Sequence, residues 1–171
     1  TGKAGVIRRA GYYDDDNGVY FEFKELVFGV GVRSKTTGSV VDTFIPQTEW
    51  NRDRLDGSDG VFNPSGVQAN PTADSLFWID LQWLGAGVVR FGLVVDGVRI
   101  VAHEQPNGGN SGPYMSTGSL PFRYEQENIG VTGSPSTMRF FTGIVKTEGR
   151  SQSLSRPYSH STSASITTVN A

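Results

Sequence analysis

The chain has 171 residues, with 17 acidic and 15 basic side chains and a formal charge of −2. That balance excludes the broad basic footprint of a protein that wraps nucleic acid or coats an anionic membrane. The absence of cysteine excludes a disulfide scaffold, thiolate metal sites and a cysteine nucleophile.

No apolar run approaches the ~18 residues of a membrane helix, so no membrane span is expected. The length suits one domain with a real core. Thr1-Gly2-Lys3-Ala4-Gly5 is neither a signal peptide nor an initiator-Met start, so the chain reads as processed or as a piece of something longer. Val, Ile and Thr total 39 against 16 for Ala and Leu, and there are 22 Gly. Branched side chains favour strands and glycine punctuates turns, so the composition points to an all-β fold.

The elements follow in order. Gly5–Ala10 reads as a strand, followed by Asp14-Asp15-Asp16-Asn17-Gly18 with an Asn-Gly turn, and then by Val19, Phe21 and Phe23 alternating with Tyr20, Glu22 and Lys24. Leu26–Arg33 is a strand in which Gly29 and Gly31 suggest a bulge or a close backbone approach. Val40–Ile45 is a short strand ended by Pro46.

Trp50 to Asp74, rich in Asn, Asp, Gly and Pro, is a long loop of the kind usually functional or packed on itself. Phe77, Ile79, Leu81 and Trp83 then alternate with Trp78, Asp80 and Gln82, and Val89, Phe91, Leu93 and Val95 with Arg90 and Gly92. Asp96-Gly97 suits a type I′ turn, because both positions tolerate φ > 0. With Val98, Ile100 and Ala102 beyond it, the stretch from Leu76 to Glu104 is a three-stranded meander. Its faces sort Trp83 into the core and leave Trp78 outside. Gln105 to Gly118 is a second long loop, Leu120–Glu127 and Thr137–Lys146 are strands, and Ser163–Val169 is a last one.

Eight to ten short strands predict an antiparallel two-sheet β-sandwich, jelly-roll-like. It spans 1–150, with a Ser-rich C-terminal segment at 151–171 that could add a last strand.

Several ordered motifs resemble a known family. They are Gly11-Tyr12-Tyr13-Asp14-Asp15-Asp16-Asn17-Gly18-Val19-Tyr20-Phe21-Glu22, Gln47-Thr48-Glu49-Trp50-Asn51-Arg52-Asp53-Arg54-Leu55-Asp56-Gly57, Ile79-Asp80-Leu81-Gln82-Trp83-Leu84-Gly85-Ala86-Gly87-Val88-Val89-Arg90-Phe91-Gly92, Tyr114-Met115-Ser116-Thr117 and Leu120-Pro121-Phe122-Arg123-Tyr124-Glu125-Gln126-Glu127-Asn128. Their order and spacing, from roughly Arg9 to Gly149, are similar to those of virion structural proteins of tailed bacteriophages. The resemblance implies a β-sandwich carried on a phage particle as a decoration, fibre or adaptor. By analogy with phage fibres it implies self-association as a homo-oligomer, with a trimer favoured, and contact with other virion proteins. The Ser-rich end departs from the pattern.

The chemistry-bearing residues give weak signals for catalysis. His103, at a strand end beside Glu104, has no Gly-x-Ser-x-Gly elbow to serve, and reads as a sheet-edge histidine. His160 reads as solvated. Asp14-x-Asp16-x-Gly18 opens like a calcium loop, but its twelfth position, Glu25, falls beyond a strand, so a hairpin turn is favoured over a metal site. Asp53, Asp56 and Asp59 read as local ion pairs and Asx turns. Glu125 and Glu127 share a strand face about 7 Å apart, which leaves glycan hydrolysis a remote option beside an ordinary pair of solvent-facing glutamates.

No catalytic residue, cofactor or metal is therefore assigned, and no nucleic acid partner. Eleven Arg against four Lys fits protein interfaces. The candidate binding or interface residues are Tyr12, Tyr13, Trp50, Arg54, Trp78 and Tyr114, whose rings and charge would suit a subunit contact or a host surface glycan. For the glycan alternative, the stacking faces would be Trp50, Trp78 and Tyr114 beside the acidic loop; the plainer reading is that each ring packs under a loop.

Overall fold

A computed structural model describes residues 2–70, 75–82, 87–109, 112–130, 135–140 and 142–146. Among these residues eight strands form two antiparallel sheets. The larger runs β4-β3-β2-β1-β8, from Val41–Pro46 (β4), Val27–Ser34 (β3), Gly18–Lys24 (β2), Val6–Tyr13 (β1) and Phe122–Asn128 (β8). The smaller runs β5-β6-β7, from Leu76–Leu81 (β5), Val88–Val95 (β6) and Val98–Pro106 (β7). Among the described residues no helix is long and apolar enough to cross a membrane.

The predicted sandwich is present, with a connectivity simpler than a jelly roll's. Each sheet is a run of nearest-neighbour hairpins, and β8 returns to pair with β1.

Alternation sorts the side chains as period 2 requires. Val19, Phe21, Phe28, Val30 and Val32 of the large sheet meet Val89, Phe91 and Leu93 of the small one in a single buried cluster. Phe21 lies at its centre. Its ring centroid is 4.8 Å from that of Phe77, 5.7 Å from Phe91 and 6.1 Å from Phe28. Leu81, partly buried, packs against the same cluster.

The turns follow local chemistry. Asp96 and Gly97 both have positive φ (51° and 79°) and close β6 onto β7 in the primed geometry that matches strand twist. The first hairpin differs from the Asn-Gly turn expected. Its loop is Asp14–Asn17, closed by the Asp14 N–H donating to the Asn17 carbonyl at 2.9 Å, and Gly18 already pairs with Tyr13. Asn17 closes that loop with its backbone, and its buried side chain is used elsewhere. The Asp14 carboxylate accepts from the backbone N–H groups of Asp16 and Asn17 at 2.8 and 2.7 Å, an Asx turn.

Gly29 and Gly31 mark close approach, not a bulge, since the β2–β3 register is unbroken. A Cβ at Gly31 would overlap the Tyr20 ring. The bulge lies in the small sheet, between Phe91 and Gly92 of β6, where the partner residue steps from His103 to Val101. The carbonyl of the intervening Ala102 accepts the backbone N–H groups of Arg52 and Asp53 at 3.1 and 3.0 Å. This anchors the Trp50 loop along the β7 edge.

The predicted strand Thr137–Lys146 is not a strand among its described residues. The chain there packs on the inner side of β8. Phe140 stacks on Tyr124 at 4.2 Å, the Tyr124 hydroxyl donates to the Thr142 carbonyl at 3.1 Å, and Gln126 donates to the Ser136 carbonyl at 3.1 Å. It covers β8 with side chains where the small sheet, only three strands wide, has ended. The Ser163–Val169 strand, the segment 151–171 and Trp83 lie outside the described residues.

Gly31→Ala is expected to destabilise the fold by about 1–3 kcal/mol, the usual cost of overpacking. Chemical denaturation monitored by tryptophan fluorescence would measure it. An unchanged midpoint would show that Tyr20 does not rest on Gly31.

Candidate functional site

Two features of the surface organise the chemistry-bearing residues. The first is the outer face of the large sheet. Arg9, Tyr13, Tyr20, Glu22, Arg33, Asp42, Arg123, Glu125 and Glu127 fall on that face by register. Although they face away from the core, Tyr13 and Tyr20 are 0% and 1% exposed. Their rings lie against one another at 5.0 Å and are roofed by guanidinium groups. Arg9 and Arg33 sit over Tyr20 at 5.6 and 5.8 Å, and Arg123 over Tyr13 at 5.3 Å.

The arginines are held in turn by carboxylates. Arg9 donates to Glu22 at 2.9 Å, Glu125 at 3.0 Å and Glu127 at 3.2 Å. Arg33 grips both oxygens of Asp42 at 2.7 and 2.9 Å, and Arg123 bridges Glu125 and Asp15 at 2.9 and 2.6 Å.

Burial pushes Glu22 above the ordinary carboxylate range, with the Arg9 charge and hydrogen bond pulling the other way. Burial also works to raise Asp42, but the hydrogen bond and charge of Arg33 hold it below its ordinary value. Burial raises the Tyr13 and Tyr20 hydroxyls, so both stay protonated. Glu125 and Glu127 are thus two arms of one arginine clamp within the sheet.

The second feature is an open groove of about 740 Å³ at one end of the sandwich, between the rim of β3 and β4, the end of β7 and the loop at 112–116. Ser34, Thr43, Gln105, Ser116, Val41 and Pro113 are among its walls, and among the described residues none that lines it carries a charge. Asn17 sits beneath it, 2% exposed. Its amide donates to the Ser116 hydroxyl at 2.8 Å, and its carbonyl oxygen accepts the Ser116 N–H at 2.9 Å and the Lys35 N–H at 3.4 Å.

The six residues predicted from sequence do not converge. Tyr12 is half-buried on the inner side of β1, where its hydroxyl donates to the Gly118 carbonyl at 2.9 Å and accepts the Leu120 N–H at 3.0 Å. Tyr13 belongs to the outer-face lattice.

Trp50 is only 2% exposed and is wedged between Phe21 and Phe28 at 6.5 and 5.6 Å. It therefore offers no stacking face, because the carbonyl at the Ala102 bulge draws its loop inward. Arg54 stacks over the exposed Phe62 ring at 4.2 Å. Trp78 lies half-buried on the outer side of the small sheet, seated over Gly92, donating to the Leu93 carbonyl at 3.2 Å and covered by Arg99 at 5.5 Å. Tyr114 reaches the groove but is 6% exposed, with its hydroxyl donating to the Gln82 carbonyl at 3.1 Å and its pKa raised by burial to about 12. A shared aromatic platform of Trp50, Trp78 and Tyr114 is not formed.

The acidic residues have local roles. Asp53 accepts the N–H groups of Leu55 and Ser65 at 3.0 and 2.9 Å, and Asp56 accepts that of Ser58 at 2.9 Å. Asp16 pairs with Lys35 at 2.9 Å. Among the described residues no group of three or more His, Asp or Glu is placed to hold a metal.

His103 is buried at 5% exposure, tilted against Phe91 at 6.3 Å, not half-exposed at a sheet edge as expected. Its neighbour Glu104 faces the other way and is held below its ordinary pKa by hydrogen bonds from Arg52 and Arg90. The groove and the arginine clamp were not found from sequence. Their members alternate with core residues and look individually like ordinary surface positions.

The chain matches no protein-family model, and neither a curated protein nor a solved structure is similar to it.

Two outcomes test these environments. Arg9→Leu leaves Glu22 buried beside apolar atoms and is expected to cost about 3–5 kcal/mol, whereas Arg9→Met with Glu22→Leu is expected to recover most of that loss. Equal losses in denaturant unfolding would deny the clamp its role.

Burial lowers the pKa of His103 below its ordinary 6.5, so the folded form is neutral where the unfolded chain takes up a proton. The stabilisation is complete above about pH 6.5 and is lost as pH falls toward the folded value, with a slope of up to ~1.4 kcal/mol per pH unit. His103→Phe is expected to flatten that slope in unfolding curves taken between pH 7.5 and about 5.5.

Proposed function

We propose that this chain is a non-catalytic structural domain of a phage virion that works as a homo-oligomer and contacts other virion proteins. The ordered motifs from Gly11 to Asn128 support the virion setting. The observation that supports assembly is the edge strand β4.

Natural sheets guard their edges with charge, bulges or covering chain. β7 is bulged and covered by the Trp50 loop, where the Asn51 side chain also donates to the Glu104 carbonyl and accepts the Glu104 N–H at 2.8 and 2.9 Å. β8 carries Arg123, Glu125 and Glu127. β4 has none of these guards. It is one edge of the large sheet, it holds Val41 at 51% exposure next to Val40 at 43%, and its one charge, Asp42, is drawn back by Arg33.

Among the described residues no backbone hydrogen bond reaches β4 from any strand but β3. A second copy adding a strand there would satisfy the free backbone groups and cover both valines. Pairing of β4 with β4 would be isologous and stop at a dimer. The favoured trimer requires β4 to meet a different surface of the next copy and close a ring.

Light scattering coupled to size-exclusion chromatography is expected to give a multiple of the 18.5 kDa chain mass, and Val41→Lys is expected to return it to a monomer. A stable monomer of the unaltered chain at micromolar concentration would sink the assembly reading.

A further inference from the structure

We propose that the groove at the end of the sandwich is a binding site for a neutral saccharide. This goes beyond the assembly reading and does not rest on it. The groove, about 740 Å³ in volume, falls in the range of small-ligand sites. Its walls carry hydroxyls and amides from four separate segments, Ser34 of β3, Thr43 of β4, Gln105 of β7 and Ser116 of the facing loop, with Val41 and Pro113 between them.

The charges nearest to it are already neutralised. Lys35 is bound by both Asp16 oxygens at 2.9 Å, and Arg33 by Asp42. An anionic or cationic ligand would find no counter-charge there. A sugar ring offers hydroxyls around its rim and C–H groups on its faces, which fits walls of uncharged hydrogen-bonding groups interleaved with small apolar ones. An extended peptide would instead seek the backbone groups of the β4 edge, which lie in the sheet plane.

The site is also built before any ligand arrives. The buried Asn17 ties the Ser116 wall to the Lys35 turn with three hydrogen bonds. Less ordering cost is then left for binding. Part of the polar lining remains unused. Among the described residues the Thr43 hydroxyl has no protein partner, and the Gln105 side chain, which lies beside His103, donates its amide N–H to the adjacent Pro106 carbonyl at 3.3 Å.

The experiment is a titration of the isotope-labelled full chain with neutral tetrasaccharides (α-1,4-glucan, β-1,4-glucan, mannan and chitin types) and with sialyllactose as the charged control, followed by amide chemical shifts. At least one neutral tetrasaccharide is expected to shift Ser34, Thr43, Gln105 and Ser116 saturably, with a dissociation constant on the order of 1 mM. Thr43→Val with Gln105→Ala is expected to weaken that binding about tenfold, a loss of about 1.4 kcal/mol, while the spectrum shows the fold intact. Trp78→Ala is expected to leave it unchanged.

No response to any neutral tetrasaccharide up to about 10 mM, tenfold above the expected constant, would overturn the proposal. So would shifts centred on Trp78, undiminished binding by the double variant, or tighter binding of sialyllactose. Val41 of the groove wall is also one of the valines a second copy would cover, so the titration is run at a concentration where light scattering shows the monomer, and a groove that stays silent there overturns this proposal and leaves the assembly reading untouched.

Discussion

The fold depends on the meeting of Phe21 with the small sheet. Its ring contacts Phe77 and Phe91 across the interface and Phe28 beside it, with Trp50 edge-on at 6.5 Å. Burial of a side chain of this size contributes roughly 1.5–3 kcal/mol, and offset or edge-to-face ring pairs add about 0.5–1.5 kcal/mol each. Phe28 also meets Phe77 at 5.9 Å, and valines of both sheets fill in around these rings, so the cluster sets the spacing of the sheets. It also fixes the groove. Where the aromatic centre ends, toward Val32, Thr43 and Gln105, the sheets hold apart and smaller polar side chains line the gap.

The outer face of the large sheet shows how a layer can be dry without a second layer over it. Gly11, Gly18, Gly29 and Gly31 share that face by register with the tyrosines and arginines. The missing side chains let Tyr13 and Tyr20 lie flat, and the arginine stems then cover the rings while their heads reach carboxylates at the rim. Burying Glu22 beside Arg9 carries a desolvation penalty that one ion pair does not repay by a wide margin. The clamp therefore acts chiefly on shape. It fixes the spacing of β8 against β1 and β2.

Much of the fold was legible because period 2 is strong where one face is dry. The strands at Phe77, Phe91 and Phe21, the Asp96-Gly97 turn and the all-β class follow from alternation and turn chemistry alone. What failed were positions where tertiary contacts override local pattern. Asn17-Gly18 has the composition of a tight turn, but the amide of Asn17 has a better use bridging Ser116 and Lys35. Thr137–Lys146 alternates like a strand, yet β8 needs side-chain cover on its inner face more than another ladder. Trp50, at the start of a polar loop, reads either as a stacking face or as a ring packed under that loop. Its burial depends on a carbonyl freed by a bulge at Ala102, some fifty residues later in the chain, and no local signal carries that.

The candidate site was less legible than the fold for the same reason. Of the residues singled out from sequence, only Tyr114 touches the groove, and its ring is mostly hidden. Aromatic side chains draw attention as ligand platforms, but in a chain this size they are also the largest apolar groups available, and a two-sheet core recruits them first. Trp50 and Tyr13 are spent in that way, one inside and one under arginines. What remains at the end of the sandwich is a set of threonine, serine and glutamine side chains from β3, β4, β7 and a loop. Each is unremarked in sequence, and their meaning comes only from the topology that brings them to one opening.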